Sequence, residues 1–183
     1  RKGTANMVSG LLDEGAGDMD SLAFQSRLEE LAIGLGFDSG RDSFSGNLKT
    51  LTQNRDEAFR LLRLALTAPR FDAEAVERIR GQIRVGLKRG EKDPDVIANR
   101  AWFRIAFRDH PYAEPNSGTL DSVDAITPAD LHDYVRRAFA KRNLKIGVVG
   151  DITADELADL LDATFGGLPD EPAPLSVPDT QPA

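Results

Sequence analysis

Apolar residues recur at helical spacing through most of this chain and alternate with polar ones in a single short region. Met7, Val8, Leu11 and Leu12 form one face of a helix predicted over about Gly3–Glu14, which Gly15-Ala16-Gly17-Asp18 breaks. Ser21, preceded by Asp20, predicts the cap of a second helix carrying Leu22, Phe24, Leu28, Leu31 and Ile33, ended by Gly34 and Gly36. The alternation comes next. A strand is expected over roughly Leu35–Ser39, a turn at Gly40-Arg41-Asp42, and a second strand over Ser43–Thr52. In that second strand Phe44, Gly46, Leu48 and Thr50 interleave with Ser45, Asn47 and Lys49.

Helical spacing then resumes. Asn54-Arg55-Asp56-Glu57 has the form of a capping box, in front of a helix bearing Phe59, Leu61, Leu62, Leu64, Ala65 and Leu66 and stopping before Pro69. Asp72 opens a long amphipathic helix reaching Lys92, and Asp93-Pro94 interrupts it. A further helix holds Ile97, Ala101, Trp102, Ile105 and Phe107, with Trp102, Phe103 and Phe107 expected in the core. His110 to Pro115 reads as loop. Thr127-Pro128 starts a helix with a Thr cap and Pro in its first turn. Leu144–Val149 reads as a buried strand, and Thr153-Ala154-Asp155-Glu156 as a second capping box whose helix ends at Phe165-Gly166-Gly167. Long helices beside a few strands predict an α+β fold, with helices packed on one face of a mainly antiparallel sheet. The crowded prolines after Leu168 mark residues 169–183 as a linker or tail, leaving residues 1–168 as the domain.

Composition narrows the function classes. With 40% apolar and 29% charged residues, the 183-residue chain has the make-up of a soluble globular domain. A net charge of −7 argues against a nucleic-acid surface, which needs clustered outward Lys and Arg. The basic residues between Arg78 and Lys92 are interleaved with Glu and apolar positions, and read as the solvated face of a helix. The lack of cysteine excludes disulfides, thiolate metal sites and a cysteine nucleophile. No apolar run reaches membrane-spanning length. No signal peptide opens the chain, but it starts without Met almost on top of a helix, so it reads as a fragment. The compartment stays open, periplasm or cytoplasm if the source is bacterial.

Candidate chemistry is sparse. His110 and His132 lack the close His/carboxylate spacing of metal sites. His110 is expected to fix the loop before Pro111, and His132 to sit on a helix surface. Ser43 lies beside Asp42, yet a Ser-His-Asp arrangement needs an imidazole base and none is near in sequence. Glu14, at a helix C-terminus, meets an unfavourable dipole, which hints at a partner.

The opening helix, Gly3-Thr4-Ala5-Asn6-Met7-Val8-Ser9-Gly10-Leu11-Leu12, resembles the zinc-binding helix of the pitrilysin or insulinase family of zinc metallopeptidases. That family carries His-x-x-Glu-His there, supplying two zinc ligands and the base that activates water. Here the three positions are Asn6, Ser9 and Gly10: an amide, a hydroxyl and no side chain. The family's third ligand is a Glu roughly seventy-five residues on, a place occupied by Val85 or Gly86. Later landmarks extend the resemblance to about Pro169: His110-Pro111-Tyr112, Gly118-Thr119, Ser122-Val123, Ile126-Thr127, Leu144 to Asp151, and Phe165-Gly166-Gly167-Leu168-Pro169. The family's strands before the first helix have no counterpart.

The resemblance implies the first domain of a two-domain, zinc-ligand-less paralogue. Its expected role is a non-catalytic subunit of a heterodimeric peptidase, closing the chamber and positioning extended peptides. Chemistry and zinc belong to the active partner subunit, so no cofactor is expected here. Leu35, Gly36, Phe37 and Asp38 occupy the place of the family's peptide-binding edge strand. Two alternatives stand beside this: a scaffold subunit that has left proteolysis, and a zinc peptidase with displaced ligands.

Overall fold

The computed structural model describes residues 1–173, 177, 179 and 180. Among the described residues, eight α-helices and one two-stranded antiparallel sheet give the expected α+β class. The core gathers around α1 (Thr4–Ser9), where Met7, Val8, Leu11 and Leu12 are fully buried. This segment packs against α7 (Pro128–Ala138), β1 (Gly34–Ser39) and α4 (Ala73–Gly90). α1 is shorter than its apolar face suggests. The Ser9 hydroxyl donates to the Asn6 carbonyl at 2.9 Å, and Gly10 caps the end. A competing hydroxyl and a glycine both weaken helix propagation, so residues 11–14 continue as turns.

α2 (Ser21–Glu30) is capped by Asp20, whose carboxylate accepts from Ala23 N, rather than by Ser21. The Ser21 hydroxyl donates to Glu14 instead. The helix ends before the expected glycines because Ala32 takes a left-handed φ of 51°, which releases Gly34 into β1. Leu22 lies exposed, away from the face that Phe24 and Leu28 bury, whereas Leu31 is partly buried against the core.

β1 pairs with β2 (Phe44–Lys49), Leu35 opposite Leu48 and Phe37 opposite Gly46. The Phe37 ring lies over Gly46, 3.1 Å from where a Cβ would stand, so a larger residue there would displace it. Phe44 joins the hairpin to α7 through Tyr134 and to Phe139, whose ring centroid is 4.9 Å away.

α3 (Arg55–Thr67) lacks the expected capping box. Asn54 Nδ2 donates to Leu31 O, and Glu57 turns to Arg60 and Arg27. Hydrogen bonds from Arg60 and then Arg27 lower the Glu57 pKa from 4.5 to about 2. A depressed carboxyl pKa adds stability above the unfolded value and loses it as pH falls through the folded one. The gap in urea-unfolding stability between wild type and Glu57→Gln should therefore narrow between about pH 5 and about pH 3. An unchanged gap would exclude this cluster as an acid-sensitive contact.

In α4 the basic stretch is not uniformly solvated. Arg78 and Arg84 are exposed, paired with Glu14 and Asp124, but Arg80 is buried at 8% exposure. Its guanidinium donates to Val123 O and, at 2.9 Å, to Ile126 O. The partner hinted at by Glu14 is thus internal, and Arg78 holds its carboxyl below the usual range. α5 (Pro94–Phe107) starts from Asp93, whose carboxylate accepts from Asp95 and Val96 N. Its aromatic residues do not form core as expected. Trp102 is 57% exposed and only Ala106 is buried, because the helix packs mainly on the 3₁₀ turn Pro111–Ala113.

The chain closes with α6 (Leu120–Asp124), α7 behind its Thr127–Asp130 capping box, and α8 (Ala154–Phe165) behind Thr153–Glu156. The strand expected over residues 144–149 is a correction. This segment pairs with no strand among the described residues, and Val149 is fully exposed. Its alternating β-branched pattern is strand-like, but no neighbouring strand offers it a ladder. Residues 169–173 are tied to the end of α7: Lys141 N donates to Pro169 O, Arg142 N to Asp170 O and Ala173 N to Arg137 O. Pro174, Pro178 and Pro182 lie outside the described residues. No helix is long and apolar enough to cross a membrane among the described residues.

Candidate functional site

A cleft of about 470 Å³ opens beside α1. Asn6 contributes from α1, Arg41 from the hairpin turn, Asp95, Asn99, Arg100 and Phe103 from α5, and Asn116 and Ser117 from the loop before α6. Each wall is fixed. Arg41 Nη1 donates to Tyr112 O at 2.8 Å and Glu114 O at 2.7 Å, and its guanidinium carbon sits 3.8 Å from the Phe103 ring centroid. Tyr112 Oη donates to Asp42, a hydrogen bond that raises the phenol pKa. Asn116 Nδ2 donates to Ser39 O and, at 3.2 Å, reaches Ser39 Oγ, which ties the last residue of β1 to the cleft wall. His110 Nδ1 accepts from Tyr112 N, holding the loop as expected, while His132 is an exposed helix residue edge-on to Phe71.

The five positions singled out by the opening motif do not converge here. Asn6 lines the cleft. Ser9 is buried, with its hydroxyl spent on the Asn6 carbonyl. A Cβ at Gly10 would stand 3.2 Å from Ile79 Cγ2. Val85 is exposed, and a Cβ at Gly86 would meet nothing within 4 Å. An amide and an engaged hydroxyl are not zinc donors, so these residues do not fit a catalytic zinc. Among the described residues no group of three or more His, Asp or Glu is placed to hold a metal ion.

Of the edge-strand residues, Leu35 and Phe37 pack partly against the core, Asp38 is exposed, and Gly36 has open space where a side chain would stand. β1 makes one ladder, with β2, among the described residues. Its C-terminal end delivers Gly40 and Arg41 to the cleft mouth. Arg41, Arg100, Asn99 and Asn116 escaped sequence reasoning, because polar residues of a turn, a helix and a loop carry no shared spacing.

The model of the peptidase M16 inactive domain family matches residues 125–183. The chain is 28% identical over 167 residues to the non-peptidase homolog YmxG of Helicobacter pylori, covering 91% of this chain and 39% of that protein. It is 21% identical to the probable mitochondrial-processing peptidase subunit beta of Arabidopsis thaliana, over 95% of this chain and 33% of that one. A crystal structure of a peptidase M16 inactive domain from Pseudomonas fluorescens superposes with a TM-score of 0.90 at 27% identity. That match covers all of this chain and 44% of the other, so the chain spans about two fifths of these relatives' length. The chain is thus similar to pitrilysin-like M16 peptidases over nearly its whole length, and to their inactive domain in sequence over residues 125–183 and in fold throughout.

Proposed function

We propose that this chain belongs to a non-catalytic subunit of an M16 peptidase heterodimer, one that helps close the substrate chamber and positions extended peptides. In this reading residues 1–168 are the pitrilysin-like domain, residues 169–183 lead out of it, and zinc and water activation reside in the active partner. Leu35, Gly36, Phe37 and Asp38 form the peptide-binding strand. The observation that carries the reading is the cleft at the end of β1, which adjoins a backbone edge able to pair with a peptide of any sequence. A related protein named as a processing-peptidase subunit supports the pairing. The scaffold reading draws on a different observation, the exposed Trp102 and Ile105 of α5, which suit a protein–protein contact.

The test measures zinc content and peptide hydrolysis of the subunit alone and mixed with its active paralogue. Zinc-free protein, no cleavage alone and a rate gain on mixing support the reading. Stoichiometric zinc with chelator-sensitive cleavage by the subunit alone would falsify it. Stable association without any rate gain would favour the scaffold.

A further inference from the structure

We propose that the cleft beside Asn6 is a carboxylate-binding pocket, in which Arg100 and Arg41 hold an anionic group of a peptide lying along β1. The proposal rests on the peptide-positioning reading and gives it a substrate class. Arg100 is half-buried and makes no ion pair among the described residues, where most arginines of this acidic chain are paired. It leans on buried Gly90, whose absent side chain leaves room for it: a Cβ there would lie 3.7 Å from Arg100 Nη2. Arg41 spends only Nη1 on backbone carbonyls. Its stacking on Phe103 holds the guanidinium plane in place, leaving Nε and Nη2 without acceptors among the described residues. A guanidinium already oriented loses little entropy on gripping a carboxylate. Asn6 and Asn99 add neutral amides to the same walls. Asp95 is the one acidic lining residue, so the pocket keeps an excess positive charge within a protein of net charge −7.

The strand direction separates two sources of carboxylate. β1 runs from Gly34 towards the cleft at Ser39. A peptide paired parallel to β1 brings its C-terminal carboxylate to the pocket. An antiparallel peptide brings an acidic side chain from near its N-terminus.

Three fluorescent peptides of the same apolar sequence test this by anisotropy on the chain: one with a free C-terminus, one amidated, and one amidated with a Glu near its N-terminus. At least one carboxylate peptide should bind about tenfold or more tightly than the amidated one. Arg100→Gln should remove that difference, and Asp95→Asn should enlarge it. Equal binding of all three overturns the pocket and leaves the strand reading intact. The ¹⁵N-labelled chain is also titrated with N-acetylalanine and with its amide. Saturable, carboxylate-dependent shifts of the Arg41 and Arg100 Nε–H signals are expected. Shifts without peptide binding would keep the pocket and refute the strand, and no carboxylate-dependent shift overturns the pocket.

Discussion

Arg80→Met is expected to destabilise the fold by about 2–4 kcal/mol. The aliphatic part of Met can refill the space of the arginine stem, but it donates nothing. Val123 O and Ile126 O then lose the guanidinium that reaches them from α4. Val123 O keeps backbone donors in Ala125 N and Ile126 N, but a buried carbonyl stripped of its donor, as at Ile126 O, costs about 1–3 kcal/mol. The contact also joins elements more than forty residues apart, since it fastens α6 and the start of α7 to the middle of α4. For a chain of this size the loss corresponds to a drop in Tm of about 5–15 °C. Arg80→Lys should recover part of it, because one ammonium cannot reproduce the two-pronged geometry. Circular dichroism melts of the three proteins decide the matter. A Met variant within about 1 °C of wild type would show that water or repacking serves these carbonyls equally well.

The second large effect concerns backbone crossing. Gly118 has φ +76°, and a Cβ on it would stand 2.9 Å from Lys2 O and 2.7 Å from Ser122 Oγ. Facing it, Gly3 has φ +86° and would meet Ser117 O at 2.9 Å. The two glycines let the chain before α1 lie directly against the cleft wall at Ser117. Gly118→Ala combines an unfavourable left-handed φ with a clash against backbone that cannot rotate away, and should cost about 2–4 kcal/mol in urea unfolding. Gly86→Ala is the matched contrast. It lies inside α4 with open space around the new methyl, so it should stabilise by about 0.5–1 kcal/mol. Equal effects at 86 and 118 would refute the close-approach account.

Much of this fold was legible because apolar periodicity is a local signal. The hairpin at 34–49, the long helix after Asp72, and the caps at Thr127 and Thr153 need only neighbouring residues to declare themselves. Asn54 shows the limit of such reasoning. Its local partner Glu57 was available, but Leu31 O and two arginines from other turns compete more effectively. Residues 144–149 failed for the opposite reason, since a strand exists only with a partner and β-propensity cannot supply one. Arg80 reads as solvated because it belongs to a run of charged residues on one helix, whereas the carbonyls it serves lie on α6 and just beyond it. The first helix was recognisable by its motif positions, but the cleft beside it was not. Arg41, Arg100 and Asn116 come together only after a hairpin turn, a helix and a loop have been placed.

The packing at Gly10 bears on how such a protein can change further. Ile79 fills the space in front of that glycine, with its Cγ2 3.2 Å from where any side chain would begin. Ile79 is buried and part of the main apolar cluster. Any side chain introduced at position 10 would need that methyl to yield by a few tenths of an ångström, so a change there is coupled to a core position of α4. The packing thus behaves as a ratchet: while Ile79 fills that space, selection for folding alone favours glycine at position 10.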